Sequence, residues 1–148
     1  MAQPTTRKFG QIKVYVGDGA TPEVFATPCG FTEKALTISK DMVDTTIPDC
    51  DDPDAAAWTG RDVRAISVEV TGSGVMAIES LATWRTWAMS DDPKNIRVEV
   101  SGTGAQGGGY WAGSAHLTDF ELSVSLGEKA QVSVTLANDG VFTWTAAA

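Results

Sequence analysis

Val63-Arg64-Ala65-Ile66-Ser67-Val68-Glu69-Val70-Thr71-Gly72-Ser73-Gly74 leads into Val75-Met76-Ala77-Ile78-Glu79-Ser80-Leu81-Ala82-Thr83-Trp84-Arg85-Thr86-Trp87-Ala88-Met89, and within this stretch the hydrophobic period changes from two to about three and a half. Ile66, Val68 and Val70 fall on one face of a strand while Ser67, Glu69 and Thr71 fall on the other, the pattern of a sheet wetted on one side. Gly72-Ser73-Gly74 is read as the end of that strand, with Ser73 positioned to cap a helix over about 75–89. On a helical wheel Ala77, Ile78, Leu81, Ala82, Trp84, Ala88 and Met89 gather on one side, which predicts a helix lying on a sheet. Arg85 projects from the middle of that side, so it either snorkels to the rim or pairs with an acid across a subunit boundary. Trp87 falls on the polar side, where an indole is expected as a contact for another subunit.

Outward from this stretch the chain is a series of strands. Ile12, Val14 and Val16 alternate with Lys13 and Tyr15, and Gly17-Asp18-Gly19 with Pro22 turns the chain into Val24 and Phe25. Leu36 and Ile38 alternate with Thr37 and Ser39; Ile96, Val98 and Val100 follow the helix after Ser90-Asp91-Asp92-Pro93. A glycine-rich loop from Gly102 to Gly109 precedes Tyr110-Trp111, and Phe120 to Leu126 and Val132 to Leu136 alternate strongly before Asn138-Asp139-Gly140 turns into Val141 to Trp144. Eight or nine short strands and one flanking helix make an all-β antiparallel sandwich or barrel. The 148 residues, 43% of them hydrophobic, suit one domain with one core, an N-terminal arm over about 1–9 and a short tail over about 145–148.

The region over about 40–60 breaks the pattern with two prolines and six aspartates, Asp41, Asp44, Asp49, Asp51, Asp52 and Asp54, against Lys40 alone. It is read as a long loop, net −5 of the chain's −8, ending in Trp58, and a connection of that length in a compact domain calls for a function. The aspartate spacing does not fit an EF-hand, because Asp54 stands where glycine is needed and Gly60 where the bidentate glutamate is needed, so no metal is expected. An acidic chain is unsuited to gripping nucleic acid.

Cys29 and Cys50 are expected as free thiols in a reducing cytoplasm, since the opening from Met1 to Lys8 carries no apolar leader segment. No apolar run approaches the ~20 residues of a membrane helix. Ser114, His116 and Asp119 lie too close along one strand to act as a triad, and Gly102 to Gly109 lacks the Lys and Ser/Thr of a phosphate loop, so neither catalysis nor a cofactor is expected. The five tryptophans leave a carbohydrate-binding sandwich as the alternative to a structural subunit with aromatic interface anchors.

With these features in place, the whole chain resembles the major tail (tail tube) protein family of long-tailed bacteriophages and related gene transfer agents. The resemblance lies in Ile12-Lys13-Val14-Tyr15-Val16-Gly17-Asp18-Gly19 followed by Pro22-Glu23-Val24-Phe25, in the long loop running into Ser67 to Gly74 before one helix, and in the closing Phe120 to Glu128 and Val132 to Leu136. It covers roughly residues 10 to 145. It implies a β-sandwich flanked by a helix, six copies closing into a ring, and rings stacking into a conduit for genome DNA that passes without specific binding. It implies further partners at the tail end, baseplate or terminator proteins, and a place in the virion tail after synthesis in the bacterial cytoplasm, with no membrane. In that family the long loop reaches the neighbouring ring, which here means Asp41, Asp44, Asp49, Asp51, Asp52, Asp54 and Trp58. Arg61, Arg64, Arg85 and Trp87 are then candidates for subunit contact, and Glu69, Glu99 and Glu121 for lining the bore with charge that repels phosphate.

Overall fold

A computed structural model describes residues 2–19 and 22–147. Met1 of the arm, Ala20 and Thr21 of the first turn, and Ala148 of the tail lie outside them. The strands are β1 (Ile12–Gly17), β2 (Phe25–Ala26), β3 (Phe31–Asp44), β4 (Arg61–Val75), β5 (Lys94–Val100), β6 (Gly109–Ser123), β7 (Gln131–Asn138) and β8 (Thr143–Ala146), with helix α1 (Ile78–Ala88) between β4 and β5. They form one antiparallel sheet in the order β2-β1-β5-β6-β7-β4-β3, and β8 pairs with β6 off that path. This is the expected all-β architecture with one flanking helix, as an open sheet rather than a closed barrel, because β2 and β3 remain at its two ends. The strands number eight among the described residues, and three of them, at 14 and 15 residues, are far from short.

Strand β6 explains the layering. Residues from Gly109 to Ala115 pair with β5 on one edge; on the other edge Gly109 to Ala112 pair with β8 and Ala115 to Ser123 with β7. A strand too long for one neighbour thus carries two in succession, and the sheet branches there. The register puts Val14 beside Val98, and Val70 and Val134 each beside a partner on the same side as Leu136. These residues with Phe31, Ile96 and Val132 form the core face, which α1 covers with Trp84 and Trp87. The alternation read from β1, β4, β5 and β7 is the cause: period two on a pleated strand places one set inward.

Gly72-Ser73-Gly74 does not end β4, which runs on to Val75 with Gly74 opposite Phe31 and Val132. Gly72 is there because the Phe31 ring lies over the strand, where a Cβ would sit 3.1 Å from it, and Gly74 because the backbone of Gly30 and Thr32 crowds the place of its Cβ. Ser73 therefore caps nothing; α1 starts after Ala77, in extended conformation and without a side-chain cap. The region over 40–60 is not all loop either, since β3 continues through Asp44, with Lys40 opposite Ile66 and Asp44 opposite Arg61. β-Branched and aliphatic partners carry the pairing past the point where β3's own alternation ends. The connecting loop is 45–60, at the tip of a long hairpin.

Trp87 is 1% exposed and stacks on Trp84 with centroids 5.9 Å apart, while Ile78 and Met89 are each 85% exposed. The wheel's apolar arc allowed two centres, and burying two indoles at i and i+3 removes more apolar surface from water than burying one isoleucine and one methionine. The helix is rotated accordingly, the Trp87 Nε1–H donates to the Asp92 carbonyl at 3.1 Å, and Arg85 stands exposed between Ile78 and Met89. Strand pairing also continues through Thr145 and Ala146, which the sequence leaves as tail.

Candidate assembly surfaces

The hairpin tip is built by short side chains closing on the backbone. The Thr45 N–H donates to the Gly60 carbonyl at 2.9 Å and the Gly60 N–H to Thr46 Oγ1 at 3.0 Å, which pinches the loop at its neck. Asp44 Oδ1 accepts from the Thr46 hydroxyl at 2.6 Å and the Thr46 N–H at 2.8 Å; these bonds favour the ionised form and hold the Asp44 carboxyl below its ordinary value. Further out Asp49 Oδ1 accepts from the Asp51 N–H at 2.8 Å, an Asx turn, and Ala55 bonds back to the Asp52 carbonyl. Among the described residues no three acids, histidines or cysteines converge as metal ligands, and Cys50 in this loop is an exposed free thiol, as is Cys29. Trp58 stands 96% exposed, and Ile47 is exposed in the same loop. At the base of the tip Arg64 is the bulged residue of β4 and its guanidinium is already bound to the Asp41 carboxylate across the hairpin; Arg61 is exposed.

Register places Glu69, Glu99 and Glu121 on one face of the sheet, the face away from the core. Glu69 lies opposite Thr37 and Ala137, Glu121 opposite Ser133, and Glu99 opposite Lys13 and Tyr110. The surroundings differ. Over Glu33 to Ser39 of β3, Ser67 to Ser73 of β4, the whole of β7 and Asp119 to Ser123 of β6, the outer face carries Glu33, Glu69, Asp119 and Glu121 among Ser, Thr, Ala and Gln, with no lysine or arginine. At the β1–β5 side the same face carries Lys13 and Arg97 with Glu99 and the rings of Tyr15 and Tyr110. The sequence reading missed Arg97, although its phase opposite Ile96 and Val98 marks it as facing outward. It is clamped between Phe25 and Tyr110, 4.1 and 4.8 Å from their ring centroids.

The core side is incompletely covered. Ile38, Ile66, Val141 and Trp144 are exposed around a groove of about 500 Å³ walled also by Trp111 and Phe142, and Leu122, Val124 and Leu126 are exposed near the β6–β7 turn. So much exposed aliphatic and aromatic surface marks a chain that is covered by other chains. The tryptophans form no open sugar platform: Trp84 and Trp87 are buried, Trp111 and Trp144 pack on each other at 4.4 Å, and Trp58 stands alone.

An open antiparallel sheet whose outer face is acidic and free of cations over its β3–β4–β7 part, with several exposed apolar patches and a projecting hairpin, defines a building block, a subunit whose surfaces are completed by copies of itself. The chain matches the phage tail tube protein family over residues 8–144, nearly its whole length, and it belongs to that family: it is a structural subunit of a phage-type tail tube. Its fold is shared with the tail of an empty gene transfer agent particle with C6 symmetry, at TM-score 0.77 and 16% identity over 95% of this chain and 100% of that one. It is also similar to the SPP1 tail tube, at TM-score 0.67 and 8% identity over 94% of this chain and 78% of that one. A third likeness is to the sheath/tube terminator of an extracellular contractile injection system, at TM-score 0.62 and 18% identity over 98% and 100% of the two chains. A search of curated proteins returned no match.

Proposed function

We propose that six copies of this chain close into a ring, that rings stack into a tube, and that genome DNA passes along a bore lined by the acidic sheet face. The observation that carries this reading is the absence of any lysine or arginine from the outer face over Glu33 to Ser39 of β3, Ser67 to Ser73 of β4, β7 and Asp119 to Ser123 of β6. A bore that must let a polyanion slide needs fixed negative charge and short polar side chains, and six-fold repetition multiplies Glu69 and Glu121 into rings of charge. Glu99, beside Lys13 and Arg97, contributes less. The symmetry is supported by the C6 arrangement of the similar gene transfer agent tail, and a terminator as end partner by the similar injection-system protein. The chain then acts as one domain without catalysis, metal or cofactor, made in the host cytoplasm and placed in the virion tail. The tip loop with Asp49, Asp51, Asp52, Asp54 and Trp58, and Asp44 at its base, serves stacking, and Arg61 and Arg85 face neighbouring subunits. Closure of the ring also removes the free edges of β2 and β3.

Light scattering and negative-stain microscopy on the purified chain test this. Rings with six-fold averages, or tubes, are the expected result; a sharp monomer mass at high concentration with no rings or tubes refutes it.

A further inference from the structure

The apolar groove on the core side of the sheet lies where the sheet splits. The pairing of β4 with β7 begins only at Glu69, the Val68 N–H donates to Asn138 Oδ1 at 3.0 Å instead of to a strand, and the half of the β3–β4 hairpin nearer the tip stands apart from β6 and β8. Ile38 and Ile66 form one wall of the opening of about 500 Å³, and Trp111, Phe142 and Trp144 the other. Helix α1 covers the core face through Trp84 and Trp87, neither of which lines this groove. Lys40 pairs directly opposite Ile66, so it stands on the same face at the groove's rim; it is exposed, and among the described residues it is in no ion pair.

The other end of the sheet carries a knob of matching chemistry. Leu126 is wholly exposed at the head of a tight turn, which is closed by the Glu128 N–H donating to the Ser125 carbonyl at 3.0 Å with Gly127 at φ 86°. Val124 is exposed beside it in sequence, and Glu128, two residues beyond Leu126, is in no ion pair among the described residues. The turn lies beyond the Ser123–Gln131 pair, whereas the groove lies beside the Trp111–Trp144 pair. At about 3.3 Å per residue the stretch from Ala115 to Ser123 alone is roughly 25 Å long, so a chain cannot fill its own groove with its own turn. The exposed apolar pair on α1, Ile78 and Met89, is a poorer match, because Arg85 stands between them and would bring a second cation to Lys40.

We infer that the turn from Ser125 to Glu128 of one copy enters the groove of the next, with Leu126 seated against Ile38, Ile66 and Trp144 and the Glu128 carboxylate accepting from the Lys40 ammonium. The contact rests on the tube reading above and joins unlike ends of two copies, so it is heterologous and repeats from copy to copy. Seating Leu126 removes apolar area from water on both copies, and the charge pair at the rim sets the register. The acidic face, on the opposite side of the sheet, stays free.

Cross-linking separates this contact from the tube reading. In a Cys29→Ser, Cys50→Ser background, Ser125→Cys places a thiol in the turn and Ile66→Cys one on the groove wall; Ser125→Cys with Thr86→Cys, on the exposed side of α1, is the control. Oxidation of assembled tubes is expected to join copies into a covalent ladder with the first pair and not with the control. Tubes visible by microscopy with no linkage above the control overturn the inference and leave the tube reading standing; wild-type chain that forms no tubes overturns both. Charge exchange gives a second measure, on variants whose circular dichroism matches wild type, as substitutions at exposed positions should allow. Glu128→Lys and Lys40→Glu are each expected to raise the concentration needed for tube formation about ten-fold, and the double variant to return it to within about three-fold of wild type, because the pair is restored with its signs exchanged. Single variants that assemble like wild type, or a double variant no better than the two single effects multiplied, overturn the inference.

Discussion

Replacing Trp87 with alanine distinguishes a core residue from an interface residue. Trp87 is 1% exposed, stacked on Trp84 and bonded through Nε1–H to Asp92, so its removal leaves a void between α1 and the sheet. Deleting a buried tryptophan costs about 3–5 kcal/mol in transfer and cavity terms, and the lost stacking adds about 0.5–1.5 kcal/mol. Against a total stability of about 5–15 kcal/mol this is a large share. With a slope of about 2 kcal/mol per molar urea, the unfolding midpoint should fall by about 2 M. The assay is urea unfolding followed by far-ultraviolet circular dichroism, on chain dilute enough to be unassembled. Trp58→Ala is the companion: an exposed indole contributes less than about 0.5 kcal/mol to the isolated fold, so its midpoint should match wild type. If Trp87→Ala kept the wild-type midpoint and lost only assembly, the assignment of the buried helix face would be wrong.

Other outcomes follow from the same geometry. Glu69→Lys or Glu121→Lys should leave tubes intact but make them retain DNA, with retention weakening as salt rises, and Glu99→Lys should do so less; DNA passage unchanged in all three would rule out an electrostatic lining at these positions. Hydrogen exchange should find 45–60 unprotected in the free subunit and protected in the tube, with 40–44 protected in both because they are paired to β4; equal protection of 45–60 in the two states would refute the stacking role. Gly72→Val should cost about 1–3 kcal/mol by pushing against the Phe31 ring, read as a lower urea midpoint. Asp44, whose carboxyl is held low by Thr46, stabilises the tip turn above the ordinary carboxylate range, and that stabilisation is lost as pH falls through its lowered value; the protection of the Thr46 amide relative to its intrinsic exchange rate should fall in that window, and unchanged protection down to strong acid would count against the bond.

What could be read from the chain beforehand was what period two determines. Ile66, Val68 and Val70, and Val132, Val134 and Leu136, occupy the face their alternation assigns. Misreadings arose where a tertiary neighbour decides. Gly72 is a stop signal in isolation and a clearance for Phe31 in the fold; Trp87 is polar-sided on a wheel centred by residue count and buried once area decides the rotation. The outward extension of β3 through Asp44 comes from its partner, β4, and not from its own alternation. Arg97 went unnoticed because its significance lies in Phe25 and Tyr110, 72 and 13 residues away along the chain, which only strand pairing brings together.

The place of β7 in the sheet bears on how a subunit is made. Among the described residues β7 is the only strand that joins the β3–β4 hairpin to the rest, through Val70 opposite Leu136 on one side and Leu117 opposite Leu136 on the other. During synthesis the hairpin can zip locally, yet the sheet stays in two parts until residues 131–138 leave the ribosome. A chain cut short before Gln131 therefore cannot hold the acidic face together, and the surfaces that meet other copies come into register only on a fully translated subunit. Non-local pairing of this kind is slow. A product that lacks β7 therefore lacks the continuous sheet on which those surfaces are presented.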